Sequence, residues 1–312
     1  MRGRLVCLPF DDWADHLSVV PSLEVVVWRP GLPPVTDPAA VGFYVPQYMG
    51  PPDALEVLAR LPGLEVVQTL TAGYDDVLAL LPDTVTLCNA RGVHDASTAE
   101  LAVGLVLASL RGIPEFVRAQ RRGEWAHLAR PALADRTVVV VGAGSVGRAI
   151  AERLAPFEVT VTLVGRTARD GVLGRATLED LLPTADVVVL AVPLTPETRD
   201  MVDGGFLQRM KDHALLVNVS RGPVVRTEAL LHELQAERLW AALDVTDPEP
   251  LPQGHPLWKA PQLLLSPHVG GDTSAFLPRA WELIGRQLAR HAAGQPLDNV
   301  VRRRHGGREE AR

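Results

Sequence analysis

Residues 137–166 read TVVVVGAGSVGRAIAERLAPFEVTVTLVGR, and this stretch decides the fold. Thr137 to Val141 is a β-branched run of the kind that suits a buried strand. Gly142-Ala143-Gly144-Ser145-Val146-Gly147 breaks it, an amphipathic stretch follows, and a second β-rich run ends at Val164. The predicted order is strand, glycine turn, helix, strand. Gly142 permits the tight turn, Gly144 lets backbone approach a pyrophosphate, and Gly147 lets the helix pack close to the strand. The phosphates are expected beside Ser145 and Val146, where free N–H groups and the helix dipole favour anions. A GxGxxG string alone also describes a structural turn; the strand before it and the helix after it favour a dinucleotide site.

A chain of 312 residues is long enough for two cores. Its 47% hydrophobic and 22% charged content is that of a globular protein, and a net charge of −6 offers no basic face for nucleic acid. The two cysteines, Cys7 and Cys88, lie in apolar strand-like runs, which suits buried thiols in a reducing compartment. No metal cluster is expected. The N-terminal apolar run is broken by Pro9 and the Asp11-Asp12 pair, so it does not read as a signal peptide, and Leu101 to Leu110 is too short to span a bilayer. A cytoplasmic protein without membrane partners is expected.

Before residue 93 the pattern alternates strand and helix, with strands at Leu5 to Leu8, Glu24 to Trp28, Val41 to Val45, Leu64 to Leu70 and Val85 to Cys88, and helical spacing over Pro52 to Arg60. This predicts a small α/β domain with a parallel sheet. A buried helix is expected up to Leu110, with Asp95 or Ser97 as its N-cap. The Arg-rich segment 118–130 reads as a solvated helix and connector or as an interface. After the glycine turn, strands are expected at Asp186 to Val192, Ala214 to Val219, Trp240 to Val245 and Leu263 to Ser266, then a helix over Pro278 to Ala292. The tail from Arg302 reads as disordered.

In doubly wound sheets, ligands bind beyond the carboxyl ends of the strands. Three of those ends carry Ser220-Arg221-Gly222, Thr246-Asp247-Pro248-Glu249-Pro250 and Ser266-Pro267-His268. A guanidinium can grip a carboxylate through two hydrogen bonds, an imidazole can give a proton to a carbonyl oxygen, and a carboxylate beside it stabilises the imidazolium. Together these groups suit reduction of a 2-keto acid. Each alone also fits a structural role, and His94 reads as structural or cofactor-proximal.

With these pieces in view the chain resembles the D-isomer-specific 2-hydroxyacid dehydrogenase family. The resemblance rests on TAGYDDV (71–77), NARGVHDASTAE (89–100), VGAGSVG (141–147), ADVVVLAVPLTPETRDMV (185–202), NVSRGPVV (218–225), ALDVTDPEPLP (242–252), SPHVGGDT (266–273) and GQPLDNVV (294–301). It implies two doubly wound α/β domains: a Rossmann dinucleotide-binding domain over 94–276, inserted into a smaller flavodoxin-like substrate domain formed by 1–93 and 277–312. It implies catalytic roles for Arg221, Glu249 and His268, substrate-carboxylate binding by the amides of Ala72 and Gly73, and a place for Asp244 near the nicotinamide. Further cofactor positions are expected at Thr98, Thr167, Val192, Pro193, Thr198, Val219, His268 and Gly270. A homodimer is usual in the family, and the 96–110 helix with the 118–130 segment is the candidate interface.

Where NAD-preferring relatives end the second strand of the dinucleotide unit in an acid, this chain has Gly165, then Arg166-Thr167. A carboxylate there repels a 2′-phosphate by roughly 4 kcal/mol per unit charge pair at about 4 Å and an effective dielectric of about 20. Glycine removes that repulsion and Arg166 adds a bidentate donor, so NADP(H) is expected over NAD(H). The pattern points towards glyoxylate and hydroxypyruvate reductases, with Tyr48 and Met49 either limiting substrate size or simply packing. The alternatives are an NAD-dependent enzyme of other substrate range and a nucleotide-sensing, corepressor-like binding protein. Ala72 counts against a phosphite dehydrogenase, whose lysine it replaces, and Glu249 against a formate dehydrogenase, where glutamine is expected.

Overall fold

The computed structural model describes residues 4–303 apart from positions 19, 30, 33, 34 and 52. Pro52, read as a helix start, and residues 304–312 of the tail lie outside the described residues. The chain divides into two compact units, Met1–His94 with Ser274–Arg312, and Asp95–Thr273.

The first unit contains strands β1 (Leu5–Leu8), β2 (Glu24–Val27), β3 (Val41–Tyr44), β4 (Val66–Gln68) and β5 (Thr86–Cys88). They pair in parallel in the order β5-β4-β3-β1-β2. Successive side chains point to opposite faces, so Val6 and Leu8 join Phe43, Val66 and the helix Phe276–Ala292 on one side, while Cys7, Tyr44 and Val67 pack on Val57, Leu61 and Val77 on the other. Burial pushes both thiols, Cys7 and Cys88, up to about 12, which keeps them protonated.

The parallel sheet gains one antiparallel strand at its edge. A strand from the chain's end, Val300–Arg302 (β13 in chain order, after the seven strands of the second unit), pairs antiparallel with β5. Arg302, assigned to a disordered tail, closes this edge instead: its guanidinium donates to the carbonyls of Leu81 and Pro82 at 3.1 and 2.9 Å. A buried amide pair fastens the strand. Gln287 donates to Gln68 Oε1 at 2.6 Å and to Asp298 O at 3.0 Å, and accepts from Asp298 N at 2.8 Å; both glutamines are fully buried. Gln287→Leu leaves at least two buried polar atoms unpaired and is expected to cost the first unit about 2–4 kcal/mol, read by urea unfolding.

The second unit holds β6 (Thr137–Val141), β7 (Thr160–Gly165), β8 (Leu173–Gly174), β9 (Val187–Leu190), β10 (Leu215–Asn218), β11 (Trp240–Leu243) and β12 (Leu263–Leu265). All pair in parallel, in the order β12-β11-β10-β9-β6-β7-β8. The chain runs outward from β6 to β8 and returns to β9 beside β6, so the crevice between β6 and β9 is the switch point at which such sheets bind ligands. The helices Asp95–Leu110 and Ser145–Leu154 cover the face formed by Val138, Val140, Val187 and Val217. Helices Gly204–Arg209 and Thr227–Gln235 cover the other.

Leu5–Leu8 and Thr137–Val141 match the strands read from sequence and β7 runs one residue past Val164, while the other strands read there are shorter by up to two residues at an end, because their apolar runs extend into the flanking loops. The 95–110 helix starts at Asp95, which places Ser97 inside it rather than at its cap, with Ser97 Oγ bonded to Thr273 Oγ1 at 2.7 Å. Its buried residues pack within its own unit, in the cluster that holds Val138, Val140, Val187 and Val217. Among the described residues no single helix is long and apolar enough to cross a membrane; the bent pair Asp95–Leu110 and Ile113–Arg121 passes by composition only.

Candidate active site

The glycine turn sits at the switch point. Gly142 has φ +115°, and a side chain on it would strike the backbone of Ala191 and Val192. A Cβ on Gly147 would overlap the carbonyl oxygen of Gly142, so the helix Ser145–Leu154 can approach the turn only without one. Gly144 is the opposite case: nothing lies within 4 Å of where its Cβ would stand. Open room beside Gly144, at a helix N-terminus with unpaired first-turn amides, fits a pyrophosphate. The neighbouring Ser145 hydroxyl is turned towards Asp95 Oδ1, at 3.1 Å.

At the far end of β7, Arg166 and Thr167 are exposed. Sequence reading missed two more arginines here. Arg169 folds back through the turn at Gly171 and donates to the carbonyl of Ala143 at 2.8 Å, while Arg175 donates to the carbonyl of Glu197 at 2.9 Å. Hydrogen bonds from Thr195 and from its own amide, aided by the charges of Arg166 and Arg175, hold the Glu197 carboxyl below the usual range. Of the other expected cofactor positions, Val192 and Pro193 follow β9, and Thr198 braces that loop by donating to Pro193 O at 2.6 Å. Val219 follows β10, bonded through its amide to Leu190 O at 3.3 Å. Thr98 and Gly270 lie against each other: a Cβ on Gly270 would come within 3.4 Å of Thr98.

The edge formed by β10, β11 and β12 brings the three chemistry-bearing side chains together. After β10, buried Asn218 accepts from the Ser220 amide and hydroxyl at 3.0 and 2.6 Å and donates to Arg221 O at 3.0 Å, which turns the chain so that Arg221 leaves the strand end. Arg221 Nη1 donates to Ser220 O at 2.9 Å. Gly222 lies so close to the carbonyl of Thr246 that no side chain fits, which draws the Arg221 loop against the loop carrying Glu249. Glu249 accepts from His268 Nδ1 at 2.5 Å and from the Thr246 amide at 3.4 Å. Burial raises the Glu249 carboxyl, but the His268 hydrogen bond and charge, with lesser help from Thr246 and Arg221, outweigh it and leave the group below the usual carboxylate range. Glu249 is therefore an anion at neutral pH, Nδ1 carries the proton, and Nε2 of His268 is left for chemistry.

Asp244 has a task that was not legible in the sequence. Its carboxylate, only 3% exposed, accepts from Ser266 Oγ at 2.6 Å, Val269 N at 3.0 Å and Gly270 N at 2.9 Å, while its carbonyl accepts from His268 N at 2.7 Å. These bonds hold His268 at φ +54°, a left-handed conformation that costs a non-glycine residue about 1 kcal/mol or more. Asp244 thus sets the direction in which the imidazole leaves the backbone.

In the first unit, Ala72 and Gly73 follow β4 in a turn whose carbonyls are tied down. Asn89 Nδ2 donates to Ala72 O at 2.7 Å and Thr71 Oγ1 to Gly73 O at 2.6 Å, while the amides of Ala72 and Gly73 have no partner among the described residues. Tyr48 packs its ring on Phe276, centroids 4.3 Å apart, in keeping with the packing alternative raised for it. Met49, at φ +47°, is 54% exposed. No group of three or more metal-ligating side chains occurs among the described residues.

Residues 103–270 match the model of the D-isomer specific 2-hydroxyacid dehydrogenase NAD-binding domain, which is more than half of the chain. The chain belongs to the D-isomer-specific 2-hydroxyacid dehydrogenase family. Among its relatives, a glyoxylate reductase of Thermofilum pendens is 36% identical over 248 residues, covering 75% of this chain and 73% of the relative. A family member from Xanthobacter autotrophicus, solved with NADPH and MES, superposes with a TM-score of 0.81 at 33% identity, covering 96% of this chain and 98% of the other. An NADPH-dependent glyoxylate/hydroxypyruvate reductase of Sinorhizobium meliloti, solved with NADP and sulfate, gives 0.77 at 27% identity, covering 95% and 96%. Membership in the family makes this protein a nicotinamide-dependent oxidoreductase acting on the CH–OH group of a small 2-hydroxy acid, or on the keto group in reverse.

Proposed function

We propose that the protein reduces a small 2-keto acid with NADPH, glyoxylate to achiral glycolate or hydroxypyruvate to D-glycerate. The observation that carries this reading is the His268–Glu249 pair beside Arg221 at one sheet edge. The first unit is the substrate domain in this reading and the second the dinucleotide domain. Bound at the glycine turn, the dinucleotide supplies hydride. Arg221 grips the substrate carboxylate and polarises the neighbouring carbonyl, with the Ala72 and Gly73 amides as further donors. His268, protonated on both nitrogens, gives its Nε2 proton to the carbonyl oxygen, and Glu249 stabilises the imidazolium through Nδ1. The relatives named for glyoxylate and hydroxypyruvate support the substrate class. The test is decay of NADPH absorbance with either acid; tight NADPH binding without turnover across a keto-acid panel would favour a binding protein instead.

Preference for NADP(H) rests on Gly165 and Arg166 and gains support from the family structures that hold NADPH or NADP. A charge-assisted contact is worth about 1.5–3 kcal/mol, so Arg166→Ala is expected to weaken NADPH binding by roughly 10- to 100-fold with NADH affinity nearly unchanged. Equal effects on the two cofactors, measured by fluorescence titration, would remove Arg166 from the 2′-phosphate site.

A homodimer is proposed on the 118–130 part of the interface read in the sequence, extended to the exposed side chains at 113 and 117. Trp125 is 97% exposed, with Leu128, Ile113 and Val117 also exposed along the 113–128 segment. A second copy would cover this apolar patch. Sedimentation should give twice the mass of 33.7 kDa, and Trp125→Asp should shift the protein towards monomer. The net charge of −6 and the buried thiols fit a cytoplasmic protein without nucleic-acid or membrane partners.

A further inference from the structure

His94 has no part in the chemistry described so far, yet it is only 6% exposed and held from three sides. Its ring lies nearly parallel to Tyr48 and Phe276, with centroids 5.4 and 5.1 Å away. Nε2 is 2.6 Å from the carbonyl oxygen of Leu70, which can only accept, so Nε2 carries the proton. Nδ1 is buried without a hydrogen-bond partner among the described residues. An apolar ring would fill the same space without stranding a polar atom, which costs free energy. What imidazole adds to the site is the Nε2–H bond to Leu70.

That bond closes a series. Leu70 is 1% exposed, and its carbonyl accepts from no other group among the described residues. The next carbonyls are held as well: Thr71 O by Ala90 N at 2.9 Å and Thr69 Oγ1 at 3.0 Å, Ala72 O by Asn89, and Gly73 O by Thr71 Oγ1. Because a peptide is planar, fixing the carbonyl of one residue fixes the N–H of the next on the opposite side. The held carbonyls of Thr71 and Ala72 therefore fix the amides of Ala72 and Gly73, and the Leu70 carbonyl fixes the Thr71 amide that leads into them. His94 holds the first plane, at which the chain enters the turn.

We propose that His94 is a positioning residue for the substrate carboxylate, fixing the Leu70–Thr71 peptide and so aiming the Ala72 and Gly73 amides. This rests on the reading that those two amides bind the carboxylate. Oxamate, a carboxylate-bearing isostere of small keto acids, is the probe, titrated into the full-length protein saturated with NADPH. His94→Phe keeps the ring packing and removes the donor, His94→Gln returns an N–H at similar reach, and Asn89→Ala releases Ala72 O. His94→Phe is expected to raise the oxamate Kd and the keto-acid KM about tenfold, with kcat within about threefold and NADPH affinity unchanged, while His94→Gln recovers most of the loss. A wild-type oxamate Kd in His94→Phe, with Asn89→Ala weakened, would overturn the role of His94 and leave the carboxylate site standing. Equal losses in His94→Phe and His94→Gln would assign His94 to packing and overturn the proposal. Unchanged oxamate binding in both His94→Phe and Asn89→Ala would overturn the carboxylate site and this inference with it.

Discussion

Replacing His268 with glutamine is expected to lower kcat for keto-acid reduction by about 10²–10⁴-fold while KM changes by less than about threefold. Glutamine matches the imidazole in size and can still donate to Glu249, so the loop held by Asp244 has no reason to move. What it lacks is a proton to release to the forming alkoxide at neutral pH. The loss should therefore appear in the chemical step, and single-turnover rates are the measurement that separates it from binding. Because reduction consumes the proton on His268, wild-type activity is expected to fall as pH rises. On the acid side the sign is opposite. The Glu249 carboxyl sits below the usual range, so the pair persists to more acid pH than an ordinary carboxylate would allow and is lost only as pH falls through that lowered value.

Arg221→Met is the second large effect, with kcat/KM expected to fall by about 10³–10⁴-fold. The guanidinium supplies two charge-assisted hydrogen bonds to the carboxylate, each worth about 1.5–3 kcal/mol, and methionine fills its volume with neither. Arg221→Lys keeps the charge but not the planar fork, so it should recover only part of the loss. The comparison separates geometry from charge: equal activity of Arg221→Lys and wild type would mean that a point charge suffices. Since Arg221 also contributes to the low Glu249 carboxyl, Arg221→Met should raise the pH at which the acid limb begins.

Parts of this site could be read from sequence because their reasons are local. Gly142 and Gly147 stand where any Cβ would collide with backbone, and a strand, turn and helix within about 30 residues are enough to say so. Arg221, Glu249 and His268 were recognisable as residue types at the ends of apolar runs. Their convergence needs only parallel neighbours, and β10, β11 and β12 are neighbours in the sheet. What escaped depends on contacts between distant residues. Asp244 reads as an acid inside a strand, set near the nicotinamide only by the resemblance, and its grip on Ser266, Val269 and Gly270 exists only once β11 and β12 are paired. Arg169 returns to Ala143 through a tight loop that no periodicity marks. The edge strand Val300–Arg302 escaped because it is only three residues long and its partner lies more than 200 residues upstream, so no local pattern marks it. Its place is secured by Gln287 and Gln68, two polar residues that local patterning assigns to the surface.

In the proposed reaction hydride passes directly to the keto carbon while this chain protonates the oxygen, and hydroxypyruvate gives the D-hydroxy acid. Its most direct test is incubation of the protein with hydroxypyruvate and NADPH carrying deuterium at nicotinamide C4, followed by mass and chiral analysis of the product. The expected product is D-glycerate with one deuterium on C2, from one face of the labelled cofactor. L-glycerate, or glycerate without the label, or no product from a protein that binds NADPH tightly, would contradict it.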